Sequence, residues 1–287
     1  MKPQETPSLM SQMDTQRYKA QERAGFNRIA AAYADGAPLR ARLADALVDA
    51  AGLAPGQQVL DLASGPALLA AAAARRVAPG GLVLATDIAE GMMAEGRRRI
   101  AGSARPAFAV ADAEQLGLAD GRFDRVLAGL ALFLFPQPDK ALKEVRRVLR
   151  PGGRFVLSVW GARDRVPLIG CALDGIARGL PPPKVARPSV CRYGEPGALE
   201  ATLSQAGFDD IRLHPCEFDC RFDDADAYWQ AFLGLAGGAA EALSRVPAEG
   251  LAKVRAATAD ALETYRDADG GYRLSTLTLI ASARRPA

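Results

Sequence analysis

The sequence predicts a doubly wound α/β domain spanning about residues 25 to 160, and three observations predict it. Short apolar runs, "QVLDLA", "GLVLATD", "PAFAVAD", "FDRVLAGLA" and "RFVLSVW", follow one another along the chain. Helical stretches separate them, of which "DKALKEVRRVL", stopped by "RPGG", is the clearest. Short buried strands that alternate with helices belong to a parallel sheet covered on both faces.

Taken in order, the polar leader "MKPQETPSLMSQMDTQRYKAQERAG" has no apolar core of the kind a signal peptide carries. Next, "RAGFNRIAAAYADG" and "PLRARLADALVDAAGL" read as two helices. The second carries Leu39, Leu43 and Leu47 on one face and ends before "APGQQ". The stretch "VLDLASGPALLAAAAARR" then runs from strand through a turn of small residues into an alanine-rich helix. Beyond Trp160 the rhythm changes, and "ARDRVPLIGCALDGIARGLPPPKVARPSVCRYGEPG" reads as an insertion that mixes a helical piece with a proline cluster. A helix in "EPGALEATLSQAGF" follows, then a strand in "DDIRLHPCEFDCRF", a mainly helical segment at about 223–269, and a final alternating strand, "YRLSTLTLIASAR". The last two strands are expected to pair as an antiparallel hairpin across that long connection. The chain thus divides into an N-terminal helical cap (1–50), a core (51–161), and lid insertions with a closing helix and hairpin of the same domain (162–287).

Composition narrows the function. The 36 basic and 33 acidic residues leave a formal charge of +3, too little and too scattered for a nucleic-acid partner. The cysteines Cys171, Cys191, Cys216 and Cys220 form no C-x-x-C pair, so no zinc site or redox dithiol is expected, and reduced, scattered thiols fit a cytoplasmic protein. No run approaches a membrane span. The single histidine, His214, lies in a predicted strand and receives no role; no metal is expected and no catalytic residue is assigned. Composition leaves the oligomeric state open between monomer and homodimer.

The turn after "VLDL" carries the chemistry. A strand-to-helix turn at the carboxyl edge of such a sheet is where ligands bind, and small residues let the backbone approach them closely. The dinucleotide spacing G-x-G-x-x-G is not met, since Ala63, Gly65 and Leu68 hold those positions. The pattern D-x-G-x-G-x-G fits better, filled as Asp61, Ala63, Gly65 and Ala67. Two further acids end the next two apolar runs. Asp87 lies about 20 residues beyond the turn glycine, where a carboxylate reaches both hydroxyls of a ribose. Asp112 is placed to accept a hydrogen bond from an adenine amino group. Helix capping is the competing explanation for each acid alone, but less readily for three at successive strand ends.

These residues resemble the class I S-adenosylmethionine-dependent methyltransferases, in the branch similar to the ubiquinone and menaquinone methyltransferases. The resemblance rests on "VLDLASGPALLA", "VLATDIAEGMMAEGRRRI" and "FAVADAEQLGLADGRFDRVLAGLALFLFPQPDKALKEVRRVLRPGGRFVLSVWG", with "FNRIAAAYADG" in support, and covers roughly residues 23 to 161. It implies a Rossmann-like, mostly parallel seven-stranded sheet with a C-terminal antiparallel hairpin and helical lid insertions. It implies S-adenosyl-L-methionine as cofactor and S-adenosyl-L-homocysteine as product, with Asp61, Ala63, Ser64 and Gly65 on the methionine portion and Asp87 on the ribose. Ile88 and Met92 would flank the adenine, Asp112 and Ala113 would hold its edge, Ala128 and Gly129 would close the floor, and Tyr33 would cover the cofactor from an N-terminal helix.

The chain departs from the family pattern at Ala63 and Ala67, which stand where glycine is usual; a positive φ at Ala63 would carry strain. The implied activity is methyl transfer to the oxygen, nitrogen or carbon of a small-molecule acceptor. The donor's sulfonium already activates the methyl group, so proximity and orientation do most of the work. "LAGLALFLFPQP" carries no N-P-P-Y-like signature of enzymes that methylate nucleic-acid bases. Candidate acceptor contacts are Tyr18, Phe133, Trp160, Arg192, Tyr193 and Trp229, together with Tyr228 and Phe232, with lid packing as their alternative role. Two rivals remain: a protein of this fold that binds the cofactor without transferring methyl, as a cyclase or regulator, and a NAD(P)-dependent oxidoreductase, which would need a Y-x-x-x-K pair the chain lacks.

Overall fold

The computed structural model describes residues 12–102, 104–182 and 188–287. The first eleven residues of the polar leader and part of the proline cluster lie outside the described residues. Two helices, α1 (Gln12–Asp35) and α2 (Ala37–Ala51), precede the core. The core runs β1 (Gln58–Leu62), α3 (Leu68–Val77), β2 (Leu82–Asp87), α4 (Glu90–Arg99), β3 (Ala107–Val110), β4 (Phe123–Gly129), α5 (Pro138–Val148) and β5 (Leu149–Trp160). The remainder supplies α6 (Pro167–Gly179), α7 (Ala198–Gln205), β6 (Asp209–Phe222), α8 (Ala225–Leu235), α9 (Gly237–Leu243), α10 (Ala248–Leu262) and β7 (Tyr272–Arg284).

All seven strands form one sheet in the order β3-β2-β1-β4-β5-β7-β6. The first five are parallel, whereas β7 runs antiparallel to both β5 and β6. The expected hairpin is therefore present, with α8, α9 and α10 filling its connection. The chain winds outward from β1 through β3 and then crosses to β4, so the carboxyl ends of β1 and β4 flank the crevice where the winding reverses, the usual ligand position in open α/β sheets. Strand β1 is buried on both faces, as its unbroken apolar run requires. Helix α5 buries Ala141, Leu142, Val145 and Val148 and carries Asp139 in its first turn and Arg146 and Arg147 in its last, complementing the helix dipole.

Two elements differ from expectation. Helix α1 begins at least eleven residues before the apolar pattern that announced it. Polar contacts hold it instead of an apolar stripe: in the upstream half Thr15 Oγ1 accepts from Gln137 Nε2 at 3.3 Å, and at the middle Arg23 grips Glu90 with two hydrogen bonds at 2.8 and 3.0 Å and Asn27 Oδ1 accepts from the Gly91 N–H at 2.8 Å. It crosses α9 so closely that a Cβ on Gly25 would lie 2.1 Å from the Gly237 carbonyl oxygen. The Arg97, Arg98 and Arg99 run, expected as a solvated helix end, closes α4 but is partly engaged. Arg97 donates to the Phe108 carbonyl, and Arg99 pairs with Asp35 of α1 at 2.8 Å. No helix among the described residues is long and apolar enough to cross a membrane.

Candidate functional site

The turn after β1 is wound through three left-handed residues, Ala63 (φ 51°), Gly65 (φ 55°) and Ala67 (φ 64°). The two alanines thus keep the backbone path glycine would follow, and their Cβ atoms carry the cost of about 1–2 kcal/mol per residue in that region. The path is enforced by the Ser64 N–H donating to the Thr86 carbonyl at 2.9 Å and the Gly65 N–H donating to Asp87 Oδ2 at 2.9 Å. The two sites should answer differently to relief. Ala63 is partly exposed, so Ala63→Gly removes strain and loses only unfolded-chain rigidity of about 0.4–1 kcal/mol, a net stabilisation of up to about 1 kcal/mol. Ala67 is fully buried. Its methyl adds about 0.8 kcal/mol of burial that Ala67→Gly loses, leaving that variant near neutral. Urea unfolding of both variants checks the contrast.

Asp87, at the tip of β2, spans two backbone donors, with Oδ1 accepting from Ala89 N–H and Oδ2 from Gly65 N–H, each at 2.9 Å. Burial raises its pKa, and these N–H groups offset part of the rise. Asp61, paired in register with Ala85 and Leu127, is fully buried, and neither of its oxygens meets a hydrogen-bond partner. Desolvation pushes its pKa well above the ordinary 3.8; the Ala70 N–H, which faces it without closing a hydrogen bond, opposes this, and the charge of Asp87 adds to it.

Past β3, Asp112 Oδ1 accepts from the Glu114 N–H at 2.9 Å, and Lys19 of α1 reaches both Asp112 Oδ2 and Glu114 Oε2 at 2.6 Å. Burial works against charge on Lys19, but the two carboxylates outweigh it and hold its pKa above the ordinary value. Glu114 Oε1 also accepts from the Gln137 N–H at 2.7 Å, tying the segments after β3 and β4 together.

One cavity lies between this edge of the sheet and α1, with about 750 Å³ of space counting its open mouth. It is lined by Tyr18, Lys19, Glu22, Phe26 and Tyr33 of α1, by Ala63 and Gly65, by Asp87, Ile88 and Met92, by residues 111–114, and by 129–131 and 134–136. Tyr33 closes over the turn, since a Cβ on Gly65 would lie 3.3 Å from its ring. Leu130 lines the cavity with φ 52°, its N–H held by the Ser158 carbonyl at 3.0 Å and hydroxyl at 3.1 Å. Such strain in a bulky residue clusters at functional sites. Among the described residues no group of three or more histidine, cysteine or acidic side chains is arranged to hold a metal ion.

Residues 60–157 match the methyltransferase-domain family. Over 168 residues the chain is 36% identical to a demethylmenaquinone methyltransferase of Clavibacter sepedonicus, covering 54% of this chain and 67% of that one. Over 176 residues it is 32% identical to the ubiquinone/menaquinone biosynthesis C-methyltransferase UbiE of Cupriavidus metallidurans, covering 56% and 71%. The chain belongs to the UbiE-like class I S-adenosylmethionine-dependent methyltransferases. The methyltransferase accordingly uses S-adenosylmethionine to transfer a methyl group to a small-molecule acceptor.

Solved structures agree on the fold. A putative methyltransferase from Bacillus halodurans superposes with TM-score 0.57 at 20% identity, covering 85% of this methyltransferase and 99% of that chain. The [4+2]-cyclase SpnF superposes with TM-score 0.53 at 23% identity, covering 86% and 81%. The fold by itself therefore hosts more than one reaction, and the activity of this methyltransferase follows from its sequence relatives.

The cavity of the methyltransferase gathers Tyr33, Ala63, Gly65, Asp87, Ile88, Met92, Asp112, Ala113 and Gly129 from the sequence-predicted set, with Tyr18 from the acceptor set. It does not gather Asp61, Ser64 or Ala128. Asp61 and Ala128 are sealed within the sheet layer, one residue or more behind the lining, and Ser64 turns its hydroxyl toward the Gly65 carbonyl. Seven expected acceptor contacts are also off the cavity. Phe133 packs on Trp160 with ring centroids 6.5 Å apart, and Trp229 on Phe232 at 5.8 Å, all buried. Arg192 lies over the Tyr193 ring and donates to the Leu132 and Phe135 carbonyls, bracing the post-β4 turn from behind. Tyr228 donates to the Leu168 carbonyl at 2.9 Å and accepts from the Ala172 N–H at 3.0 Å, pinning α6. The lid needs an apolar core of its own, and its largest side chains fill it.

Lining residues that the sequence did not single out include Lys19, Glu22, Phe26, Glu114, Leu130 and Phe135. Phe135 and Leu130 sit in "LAGLALFLFPQP", where proximity to a strand end was a usable signal. Lys19 and Glu22 lie in the polar leader, where no pattern marks them.

Proposed function

We propose that this cavity is the methyl-transfer site, with the cofactor's nucleoside end toward Asp87 and Asp112 and its amino-acid end toward the 61–65 turn. The observation that carries this is the buried, unpartnered carboxylate of Asp61 directly behind that turn. A buried charge without a partner is costly, and an ammonium group from the amino-acid end is the chemistry it lacks. The donor set fits as well. Each Asp87 oxygen retains a lone pair beyond its backbone bond, enough to accept two ribose hydroxyls. Asp112 lines the same cavity as Ile88 and Ala113, where an adenine amino group would meet it.

When bound, the cofactor supplies an electrophilic methyl group on a sulfonium. The chain's own part is to orient, to enclose and to exclude water. Lys19, Arg23 and Asn27 fasten α1 across the opening, so we read residues 1–50 as a cap and 51–161 as the cofactor-binding core, with 162–287 completing the lid. Tyr33 covers the turn, and Gly129, Leu130 and Ala131 form the wall from β4. The acceptor is assigned to the apolar end lined by Tyr18, Leu134, Phe135 and Pro136. Acids outnumber the single lysine in the lining, which disfavours a nucleic-acid phosphate there.

The relatives' names, C-methyltransferases among them, support a carbon as acceptor atom. The test is transfer of labelled methyl to reduced demethylmenaquinone, with a phenol and an amine as controls. Labelling of the quinol on carbon is expected; label found only on the controls would move the acceptor atom to oxygen or nitrogen. No transfer in the presence of tight cofactor binding would remove the quinol from consideration.

A further inference from the structure

Among the described residues the cavity is lined by four carboxylates. Three have work already: Asp87 spans the Gly65 and Ala89 N–H groups, and Asp112 and Glu114 share the ammonium of Lys19. The fourth is Glu22 of α1. It is 7% exposed, and the cofactor assignment gives it no part.

The helix sets its position. Tyr18, Glu22 and Phe26 recur every four residues and line the cavity from one face of α1, whereas Arg23, beside Glu22 in the chain, turns to Glu90. At a rise of 1.5 Å per residue, Glu22 lies about 6 Å along α1 from Tyr18, on the side toward Tyr33. Tyr18 belongs to the end assigned to the acceptor, and Tyr33 covers the turn where the amino-acid portion of the cofactor is assigned. Glu22 therefore stands between the places of the two reactants.

Other described lining groups are less suited to take a proton there. The two carboxylates hold Lys19 protonated. Leu134, Phe135 and Pro136 have no side-chain acceptor, and neutral phenols such as Tyr18 and Tyr33 accept a proton less readily than a carboxylate. His214 is on β6, opposite Ile280, away from the lining.

We propose that Glu22 is the general base of the transfer, taking the proton from a hydroxyl of the acceptor as the new bond to the methyl group forms. This rests on the cavity being the methyl-transfer site. With a quinol as acceptor, the O–H bond breaks toward the Glu22 carboxylate and its electron pair shifts into the ring. The ring carbon bonds the methyl, and the C–S bond breaks with its pair left on sulfur, giving S-adenosylhomocysteine. The proton on the methylated carbon then leaves to water and Glu22 returns its own to the oxygen, so a proton is released for each methyl transferred.

The test uses the full chain and reduced demethylmenaquinone, kept free of oxygen. Glu22→Gln, which keeps the shape, is expected to lower kcat by about 100-fold or more at neutral pH. Its affinity for S-adenosylhomocysteine, measured by calorimetry, is expected to stay within about twofold of wild type. The deficit in kcat should shrink as pH rises, because the acceptor hydroxyl then ionises without help. Lys19, Asp87, Asp112, Glu114 and the two tyrosines face the same cavity, and Glu90 with Arg23 and Glu241 with Arg28 bind α1 to α4 and α9; all are common to both proteins and cancel in the ratio. Glu22→Asp, a carboxylate on a shorter stem, is expected to recover part of the rate.

Retained S-adenosylhomocysteine binding also reports that the variant is folded. If Glu22→Gln does not fold, Glu22→Asp carries the test, with the same narrowing of its deficit at high pH expected. An unchanged kcat overturns the proposal, and so does a deficit equal at every pH. A matching loss of S-adenosylhomocysteine affinity overturns it too and puts Glu22 on the cofactor. A wild type that binds S-adenosylhomocysteine but methylates no quinol refutes the base while keeping the cavity as cofactor site; a wild type that does neither removes the cavity reading and this proposal with it.

Discussion

Asp87→Ala is expected to abolish the rise in thermal stability that S-adenosylmethionine or S-adenosylhomocysteine gives the wild type. Two losses combine. The variant leaves the Gly65 and Ala89 N–H groups without their acceptor, at about 1–3 kcal/mol each, and slackens the turn that Tyr33 covers. It also removes the acceptor assigned to the ribose hydroxyls, and bonds to a charged group contribute about 1.5–3 kcal/mol apiece, so affinity should fall by about 100-fold or more. Asp87→Asn keeps one carbonyl acceptor and should be intermediate in both respects. Melting curves with and without saturating ligand check this; equal ligand-induced changes in melting temperature in wild type and Asp87→Ala would place the nucleoside elsewhere.

Asp61→Asn should do the reverse to the ligand-free protein, raising its stability while weakening the cofactor. The folded-state pKa of Asp61 lies well above the ordinary 3.8 because burial penalises the charged form. Between 3.8 and that raised value the folded protein therefore binds more protons than the unfolded chain, and stability falls as pH rises across this window. Above it the loss is complete, so the ligand-free protein then carries the full penalty of an ionised, unpartnered carboxylate. An asparagine there still leaves an unmet amide but no charge, and a net gain of about 1–2 kcal/mol is expected. Urea unfolding at several pH values checks it: the difference between variant and wild type should widen as pH rises from about 4, the ordinary carboxylate range, and a difference that is flat or shrinks would refute it. Asp87, raised in the same direction, is common to both proteins and cancels in the comparison. Cofactor affinity should drop in the variant because the ammonium loses its counter-charge.

The opposite signs of these two effects show how the chain divides its work. Asp87 stabilises the turn as well as the ligand, whereas Asp61 is a cost that the folded protein carries until a cation meets it. Strain at Ala63, Ala67 and Leu130 around the same cavity points the same way. Sites of this kind are where local preference and function conflict.

Much of the fold was legible because its signals are local. β1 and β2 are mostly apolar runs, and β2 and β4 end on a polar or small residue, Asp87 and Gly129, that a parallel sheet puts at one edge. The strand "DDIRLHPCEFDCRF" and the terminal strand were both bounded by turn residues, and β6 and β7 occupy those bounds. The upstream half of α1 was not legible. It buries Thr15, Tyr18 and Glu22 against loops that follow β3 and β4, and a polar helix that docks by its polar face carries no apolar period. The aromatic residues misled for a related reason. Trp160, Tyr193 and Trp229 sit in segments that flank the cavity, but residue type alone does not say whether a ring faces the cavity or the lid's own core.

By itself, then, the sequence determined the order of strands and helices, the turn of small residues at 63–67 and the acids at or near the strand ends, since each depends on spacing within a few residues. Only the tertiary structure decided that Asp87 and Asp112 share a cavity while Asp61 stays behind it, that Lys19 crosses from α1 to bind both Asp112 and Glu114, and that Glu22 lines the same cavity. Those outcomes depend on which faces meet across the fold, and the balance of desolvation against pairing exists only once they have met.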